Sequence, residues 1–434
     1  GTRISSVASD IPKPMIKIEG KPVLEREIEC LRNQGYTELI ITVSHLANHI
    51  INYFGDGSKF GIHIEYFIEE TPLGNAGALF KLRDKLDGDF LLLNADSIFD
   101  IDFNRFVDYH KEKGGLVTLF THPNSHPYDS GVLIADSEEM VETWLTKEDV
   151  RPQWYRNRVN AGLHVINPAV LDIVDVDAEK VGAVDKSGKV IKVDLDRQIL
   201  KPLCGTGRMF CYDSPEYVKD MGTPERLALV SADIENGVVS GRSLKQKQKA
   251  VFLDRDGTIN EYVGFLKNID EFKLLKGVAD AIAKINASPY LTIIATNQPV
   301  IARGEVTFQE LDEIHKKMET ELGKGGAYLD DIFYCPHHTH KGYEGEVPEL
   351  KIDCDCRKPK IGMLTKASEK FNIDLSQSWY IGDTTTDIQT GQNAEMRTIL
   401  VQTGEAGKDG KYDAEPDFRA ENLIDAINHI LGEM

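Results

Sequence analysis

Apolar runs and helical spacings alternate along the first half of the chain. Apolar runs fall at 38–44, 62–67, 89–96 and 116–122. Helical periodicity lies between them at 22–34, 45–54, 75–86 and 103–113. Strands alternating with helices predict a mostly parallel sheet covered on both faces. A short helix after Pro224 is expected to end near Glu235-Asn236-Gly237. From Gly237 to Lys249 the chain turns polar and basic and reads as a linker. A second βα series starts at Ala250, so the expected organisation is a first domain over 1–236, a linker over 237–249 and a second domain over 250–434.

The chemistry is most concentrated where that second series opens. Val251-Phe252-Leu253 is a short buried-strand pattern ending in Asp254 and Asp256, with Gly257 next. A carboxylate on the tip of a buried strand is unfavourable unless chemistry or a metal offsets its desolvation. The design recurs at 291–298, which ends in Thr296-Asn297-Gln298, at Cys356-Arg357-Lys358-Pro359, and at Trp379–Asp383 with Asp387 beyond. In type, order and spacing these four pieces resemble the haloacid-dehalogenase (HAD) phosphatases over about residues 249–434. The resemblance implies Asp254 as the nucleophile that becomes an aspartyl-phosphate. Asp256 would protonate the leaving alkoxide and then activate water. Thr296 and Lys358 would hold phosphoryl oxygens, and Asp383 would join Asp254 and the Asp256 carbonyl around Mg²⁺, with Asp387 orienting that ion from further away. Asn297, Arg303 and Arg357 would touch substrate, Arg357 as a bidentate anion contact.

Cys335-Pro336-His337-His338 and Cys354-Asp355-Cys356 add a separate signal. Three soft sulfurs and one imidazole fit a closed, tetrahedral, structural Zn²⁺ site. Spacing leaves His337 and His338 open as the nitrogen ligand; the related zinc-bearing phosphatases imply His337, with His340 solvated. That branch includes heptose-bisphosphate and histidinol-phosphate phosphatases. Thr296-Asn297-Gln298 with Ile301-Ala302-Arg303-Gly304 resembles the heptose enzymes more closely, although Pro299 stands where many of them carry serine.

The first domain opens with Gly1-Thr2-Arg3 and then Ile11-Pro12-Lys13-Pro14-Met15. A glycine turn with nearby cations suits a polyphosphate. Leu91–Asp96 puts a carboxylate at the carboxyl end of an apolar strand, where open α/β sheets bind ligands, and Asp220 stands beside a second turn. The two could jointly hold Mg²⁺. With Pro72–Gly77, Asn160-Ala161-Gly162 and Asp220–Pro224, this segment resembles the sugar-1-phosphate nucleotidyltransferases over about residues 1–232. The resemblance implies a Rossmann-like (GT-A-like) mixed sheet, followed by a HAD-like Rossmannoid domain with a small zinc-bound loop. It implies that Gly1, Thr2, Arg3 and Lys13 bind NTP phosphates, that Leu73 and Gly74 line the base pocket, that Asn160 and Gly162 border the sugar, and that Asp96 and Asp220 bind the metal. The family's apolar first strand and further glycines would precede Gly1, and a protein without them is expected to be inactive in this half. The family's Glu-Lys-Pro element is not intact; Lys147 is the nearest counterpart of its lysine.

Length and composition narrow the setting. A chain of 434 residues exceeds one comfortable core. With 41% hydrophobic and 28% charged residues it has a globular composition, and no apolar run approaches a bilayer span. A formal charge of −20 without a basic stripe argues against nucleic acid. The six cysteines do not read as a disulfide framework, which suits a reducing cytoplasm. Joining the halves constrains the substrate: a nucleotidyltransferase uses the anomeric phosphate, so a cooperating phosphatase must remove a different one. The expectation is a bifunctional enzyme that strips the 7-phosphate from D-glycero-D-manno-heptose 1,7-bisphosphate and transfers GMP from GTP to the product. Its partners would be sugar phosphates and NTP, with no nucleic acid and no membrane. Alternatives keep both reaction classes on mannose or N-acetylmuramate 1-phosphate, use another NTP, or give the HAD half a histidinol-phosphate activity. A further alternative makes one half a sensing or scaffolding module.

Overall fold

The structure is a computed structural model that describes residues 11–146 and 148–432. The residues expected to matter at Gly1, Thr2, Arg3 and Lys147 lie outside the described residues. The chain forms two compact units. The first comprises the chain up to Thr121 with Leu133–Trp144 and Asn160–Asn236; the second comprises His122–Val132, Leu145–Val159 and the chain from Gly237 onward. Two short segments of the first half of the sequence therefore belong to the second unit.

In the first unit, Glu38–Val43 and His63–Ile68 pair in parallel. A larger sheet runs Met209–Asp213, Val117–His122, Val159–Ile166, Val132–Ala135, Val141–Leu145, with Phe90–Leu93 also paired to Val159–Ile166. Met209–Asp213 is parallel to Val117–His122, whereas Phe90–Leu93 is antiparallel to Val159–Ile166. The sheet is thus mixed, not mostly parallel as the βα rhythm predicts. Alternation reports which residues are buried; strand direction is set by connections, which the pattern does not encode. The helix expected over 75–86 is a short α-helix, Gly77–Lys81, followed by a 3₁₀ turn, Arg83–Lys85. Phe103–Lys113 forms as the periodicity predicts, capped by Asp102 and closed by Gly114.

In the second unit, six strands form one parallel sheet in the order Asp331–Cys335, Tyr290–Asn297, Lys249–Leu253, Trp379–Gly382, Arg397–Val401, Phe418–Ala420. Residues alternate between its faces. Val251 and Leu253 join Ile294, Ile381 and Ile399 in one core, while Ala250 and Phe252 join Ile293, Ala295 and Tyr380 in the other. Burial on both faces explains the continuous apolar run that precedes Asp254. The stretch 237–249, expected as a linker, is packed instead: it carries the helix Val238–Gly241 and buries Arg242, Ser243, Leu244 and Gln248. Arg242 pairs there with buried Asp330 at 3.2 Å.

Candidate active sites

Both sites grow from strand ends. In the second unit, Leu253 lies beside Ile294 on one neighbouring strand and Ile381 on the other. Asp254, Thr296 and Asp383 therefore leave the sheet at the same carboxyl edge. The Asp254 amide donates to the Ile381 carbonyl at 2.9 Å, which fixes the strand tip. Asp254, Asp383 and Asp387 offer carboxylate oxygens that all lie within 4.8 Å of one another. Asp387 joins the cluster because Thr384 caps the helix Thr385–Asn393 and turns its third residue inward. One cation serves the group: Lys358 Nζ is 2.9 Å from Asp254 and 2.6 Å from Asp387.

The electrostatics follow from burial. Desolvation, then Asp387 and Asp256, push the Asp254 carboxyl up to about 6 against the pull of Lys358. Desolvation, then Asp387 and Asp254, push Asp383 up to about 8. Burial alone would lower Lys358, but the two aspartates outweigh it and hold its pKa well above the ordinary value. Asp383 Oδ1 is buried without a hydrogen-bond partner. A hard divalent cation fits such a set: three anionic oxygens, one of them otherwise orphaned, with a single lysine to balance them. Gly257 makes room for it, since a Cβ there would stand 2.3 Å from Asp383 Oδ2.

Asp256 is not part of that cluster; Arg255, Gln298 and Asn260 hold its carboxylate. Asn297 is tied to the lysine loop, with its Oδ1 accepting from the Lys358 amide at 3.0 Å. Arg303 is buried between the rings of Phe265 and Tyr343, with His338 Nε2 at 3.3 Å from its Nη2. His338 is thus engaged away from the cysteines.

Cys335, His337, Cys354 and Cys356 converge on one point. Their sulfurs lie 3.0–3.5 Å apart, and His337 Nδ1 is 3.2 Å from the Cys356 sulfur. Four soft donors at the edges of a small tetrahedron fit a closed metal site. Arg357 Nη1 donates to the His337 carbonyl at 3.1 Å, so the cluster also anchors the loop that carries Lys358.

In the first unit, Asp220 pairs in register with Ser97, which places it beside Asp96; the Met221 amide donates to the Asp96 carbonyl. Lys13 Nζ lies 3.2 Å from Asp96 Oδ2. Asp220 is held by Arg226 and the Gly222 amide. Burial raises its carboxyl, but Arg226, the Gly222 amide and Lys13 outweigh that and lower it. Lys13 therefore pairs with Asp96, and Asp220 stands beside Asp96 on the neighbouring strand. The register Leu163↔Leu93 brings Gly162 opposite Asn94, and a Cβ at Gly162 would stand 2.4 Å from Asn94 Nδ2. Asn160 Oδ1 accepts from the Gly162 amide and faces His164 Nε2, each at 3.1 Å. Leu73 is buried in the apolar core with Leu79 and Val181, so only the backbone around Gly74 is presented. Gly74 has φ +91° and lies against Val193, a position closed to any Cβ. His164, Arg226, Arg255 and Gln298 are the partners that sequence reasoning left without a role. Arg255 and Gln298 stand within the quoted motifs, but their spacing alone assigns them no contact.

The nucleotidyl transferase family model matches residues 1–237, more than half of the chain. A HAD-hydrolase-like model matches residues 355–426. The chain is 40% identical over 187 residues to the D-glycero-beta-D-manno-heptose-1,7-bisphosphate 7-phosphatase of Pasteurella multocida (strain Pm70), covering 43% of this chain and 98% of the relative. The chain belongs to both families. It is also 39% identical over 178 residues to the enzyme of that name from Haemophilus influenzae, covering 41% of this chain and 94% of the relative. A solved structure of HddC from Yersinia pseudotuberculosis aligns with 54% of this chain and 95% of its own at 24% identity, with a TM-score of 0.44. This nucleotidyltransferase–HAD phosphatase fusion is therefore an enzyme with both activities. Among the described residues no helix is long and apolar enough to cross a membrane.

Proposed function

We propose that the chain removes the 7-phosphate of D-glycero-D-manno-heptose 1,7-bisphosphate and transfers GMP from GTP to the resulting heptose 1-phosphate, releasing pyrophosphate, in the cytoplasm. The observation that carries the phosphatase reading is the buried trio Asp254, Asp383 and Asp387 with Lys358 as its single cation. Membership among heptose-bisphosphate phosphatases supplies the substrate class. The nucleotidyl-transfer reading rests on the fusion itself: the family of the first half uses an anomeric phosphate, which a 7-phosphatase leaves in place.

In the second unit Asp254 attacks the phosphorus, Lys358 balances charge on the phosphoryl oxygens with Thr296, and Asp256 delivers a proton to the departing sugar oxygen. Asp254, Asp383 and the Asp256 carbonyl would hold Mg²⁺, which neutralises phosphate charge when bound. Cys335, His337, Cys354 and Cys356 would hold a structural Zn²⁺. In the first unit Asp96 and Asp220 would hold Mg²⁺, and Lys13 and Arg3 would neutralise NTP phosphates while Asn160 and Gly162 border the sugar. In-line attack by the sugar phosphate needs positioning and charge balance rather than a side-chain nucleophile.

Two variants test the division of labour. Asp254→Asn should remove phosphate release by a factor on the order of 10⁴ or more and spare nucleotidyl transfer; Asp96→Ala should do the reverse. Wild-type turnover in either variant would refute the role given to that residue. A panel of heptose 1,7-bisphosphate anomers, fructose 1,6-bisphosphate and histidinol phosphate, followed by each NTP with the product, tests the substrates. No preference for a heptose would remove that part of the reading and leave the reaction classes intact.

A further inference from the structure

The carboxylate given the proton transfers is unusually constrained. Asp256 Oδ1 accepts from Arg255 Nη2 at 2.9 Å and from Asn260 Nδ2 at 3.1 Å. Its Oδ2 accepts from Arg255 Nη2 at 2.8 Å and from Gln298 Nε2 at 3.0 Å. With Arg255 Nε also donating to Oδ1 at 3.2 Å, five donor contacts on one side chain leave it little freedom to turn.

The donors are themselves fixed. Arg255 is fully buried, and its Nη2 also donates to Gln298 Oε1 at 3.0 Å. Gln298 Nε2 lies 3.1 Å from Thr296 Oγ1 as well. Rotating the Gln298 amide would set its oxygen against Asp256 and its NH₂ against a guanidinium, so the network permits one orientation. Behind Arg255 stands His315, buried, with Nε2 at 3.4 Å from Arg255 Nη1. Burial, then Arg255 and Arg156, push this imidazole well below its usual range, which keeps it neutral and able to accept from the guanidinium. A buried guanidinium needs many partners, and these are directed at one acid.

We propose that Arg255 and Gln298 are positioning residues for the phosphatase reaction, holding the Asp256 carboxyl in the orientation from which it serves the leaving oxygen. This rests on the reading of Asp256 as the proton carrier. In the first half-reaction the bond from phosphorus to the sugar oxygen breaks, its electron pair goes to that oxygen, and Asp256 gives the proton. In the second, Asp256 takes a proton from the water that attacks the aspartyl-phosphate, and Asp254 is released.

The test uses leaving groups of different basicity on the full-length protein. A sugar phosphate leaves as a basic alkoxide and needs the proton; p-nitrophenyl phosphate leaves as a stable phenolate and does not. Gln298→Met and Arg255→Lys should lower the first-turnover rate of leaving-group release from the heptose bisphosphate by about 10²-fold or more, yet lower that from p-nitrophenyl phosphate by less than about tenfold; reading the first turnover excludes hydrolysis of the aspartyl-phosphate, which both substrates share. Asp256→Asn is the internal reference. If Asp256→Asn lowers both release rates equally, the proton role in the first half-reaction fails. If Asp256→Asn discriminates between them and Gln298→Met does not, with melting unchanged, the positioning proposal is overturned. Arg255 is fully buried, so should Arg255→Lys lose its fold, Gln298→Met decides alone.

Discussion

The two reaction centres solve the problem of gathering carboxylates in opposite ways. Asp96 and Asp220 are 35% and 47% exposed as side chains, and each already has its own cation, Lys13 and Arg226. In the phosphatase unit, Asp387 is fully buried and Asp254 nearly so, and both share Lys358. Burial raises the Asp220 carboxyl, but Arg226, the Gly222 amide and Lys13 outweigh it and lower it. Three buried acids with one lysine cannot all carry charge comfortably, which is why Asp254 and Asp383 are raised. The first centre is assembled by surface pairs that a ligand can exchange. The second is built under electrostatic stress that a divalent ion relieves.

That difference predicts unequal consequences for deleting the lysine of each centre. Lys358→Met leaves buried carboxylates uncompensated and should destabilise the phosphatase unit by about 3–5 kcal/mol without Mg²⁺. Lys13→Met removes a half-exposed pair worth about 1 kcal/mol or less, so transferase activity should fall while stability barely moves. Hydrogen exchange read at Lys249–Leu253 and at Val159–Ile166 separates the two outcomes. Equal destabilisation would erase the distinction drawn between the centres.

The same contrast explains what the sequence disclosed. Asp254, Asp383, Lys358 and the Cys335–Cys356 cluster were legible because a charged or soft side chain at the end of an apolar run is rarely accidental. Lys13, Asp96 and Asp220 come from three separated segments, and their meeting is fixed by the register of Asp220 against Ser97. The antiparallel run of Val159–Ile166 was not legible from burial pattern. Nor was the placement of 122–132 and 145–159 with the second unit, because pairings such as Tyr155 with Thr320 join residues 165 apart. Arg255 and Gln298 were visible as letters of a motif, but their role depends on geometry that spacing does not carry.

His164 and the carboxylate cluster should contribute to the pH dependence of their units with opposite signs. His164 is buried in the transferase unit, and burial depresses its imidazole from 6.5 to about 4. The unfolded state takes up a proton that the folded state refuses, so this contribution is whole above about 6.5 and is lost as pH falls toward 4. The loss amounts to roughly 3 kcal/mol. Asp254 and Asp383 are raised instead, so the folded phosphatase unit keeps protons that the unfolded chain releases. Without Mg²⁺ its stability should fall as pH rises from about 4 through 6 and 8, and saturating Mg²⁺ should flatten that decline. Melting across pH 4–8, wild type against His164→Gln for the first unit and magnesium-free against magnesium-saturated for the second, isolates each contribution from groups of opposite sign such as Glu27 and His315. Contributions of the same sign would break the comparison.

A smaller effect tests a charge pair of intermediate exposure. Arg156 stands in the first half of the sequence but belongs to the second unit, where it pairs with Asp312 and lies 3.8 Å from Glu319. Its side chain is 38% exposed, so the Asp312 pair alone is worth little. Glu319 is different: it is buried, its Oε2 has no hydrogen-bond partner, and burial already raises its carboxyl against the pull of Arg156. Arg156→Met should therefore cost about 1 kcal/mol, less than Lys358→Met because one buried acid loses a cation 3.8 Å away, whereas Lys358 serves two buried aspartates at 2.9 and 2.6 Å. The cost should shrink as pH falls and Glu319 is neutralised, and hydrogen exchange should report it in the helix Phe308–Lys324 and leave Val159–Ile166 unchanged. A loss confined to the transferase sheet would mean that 145–159 supports the first unit instead.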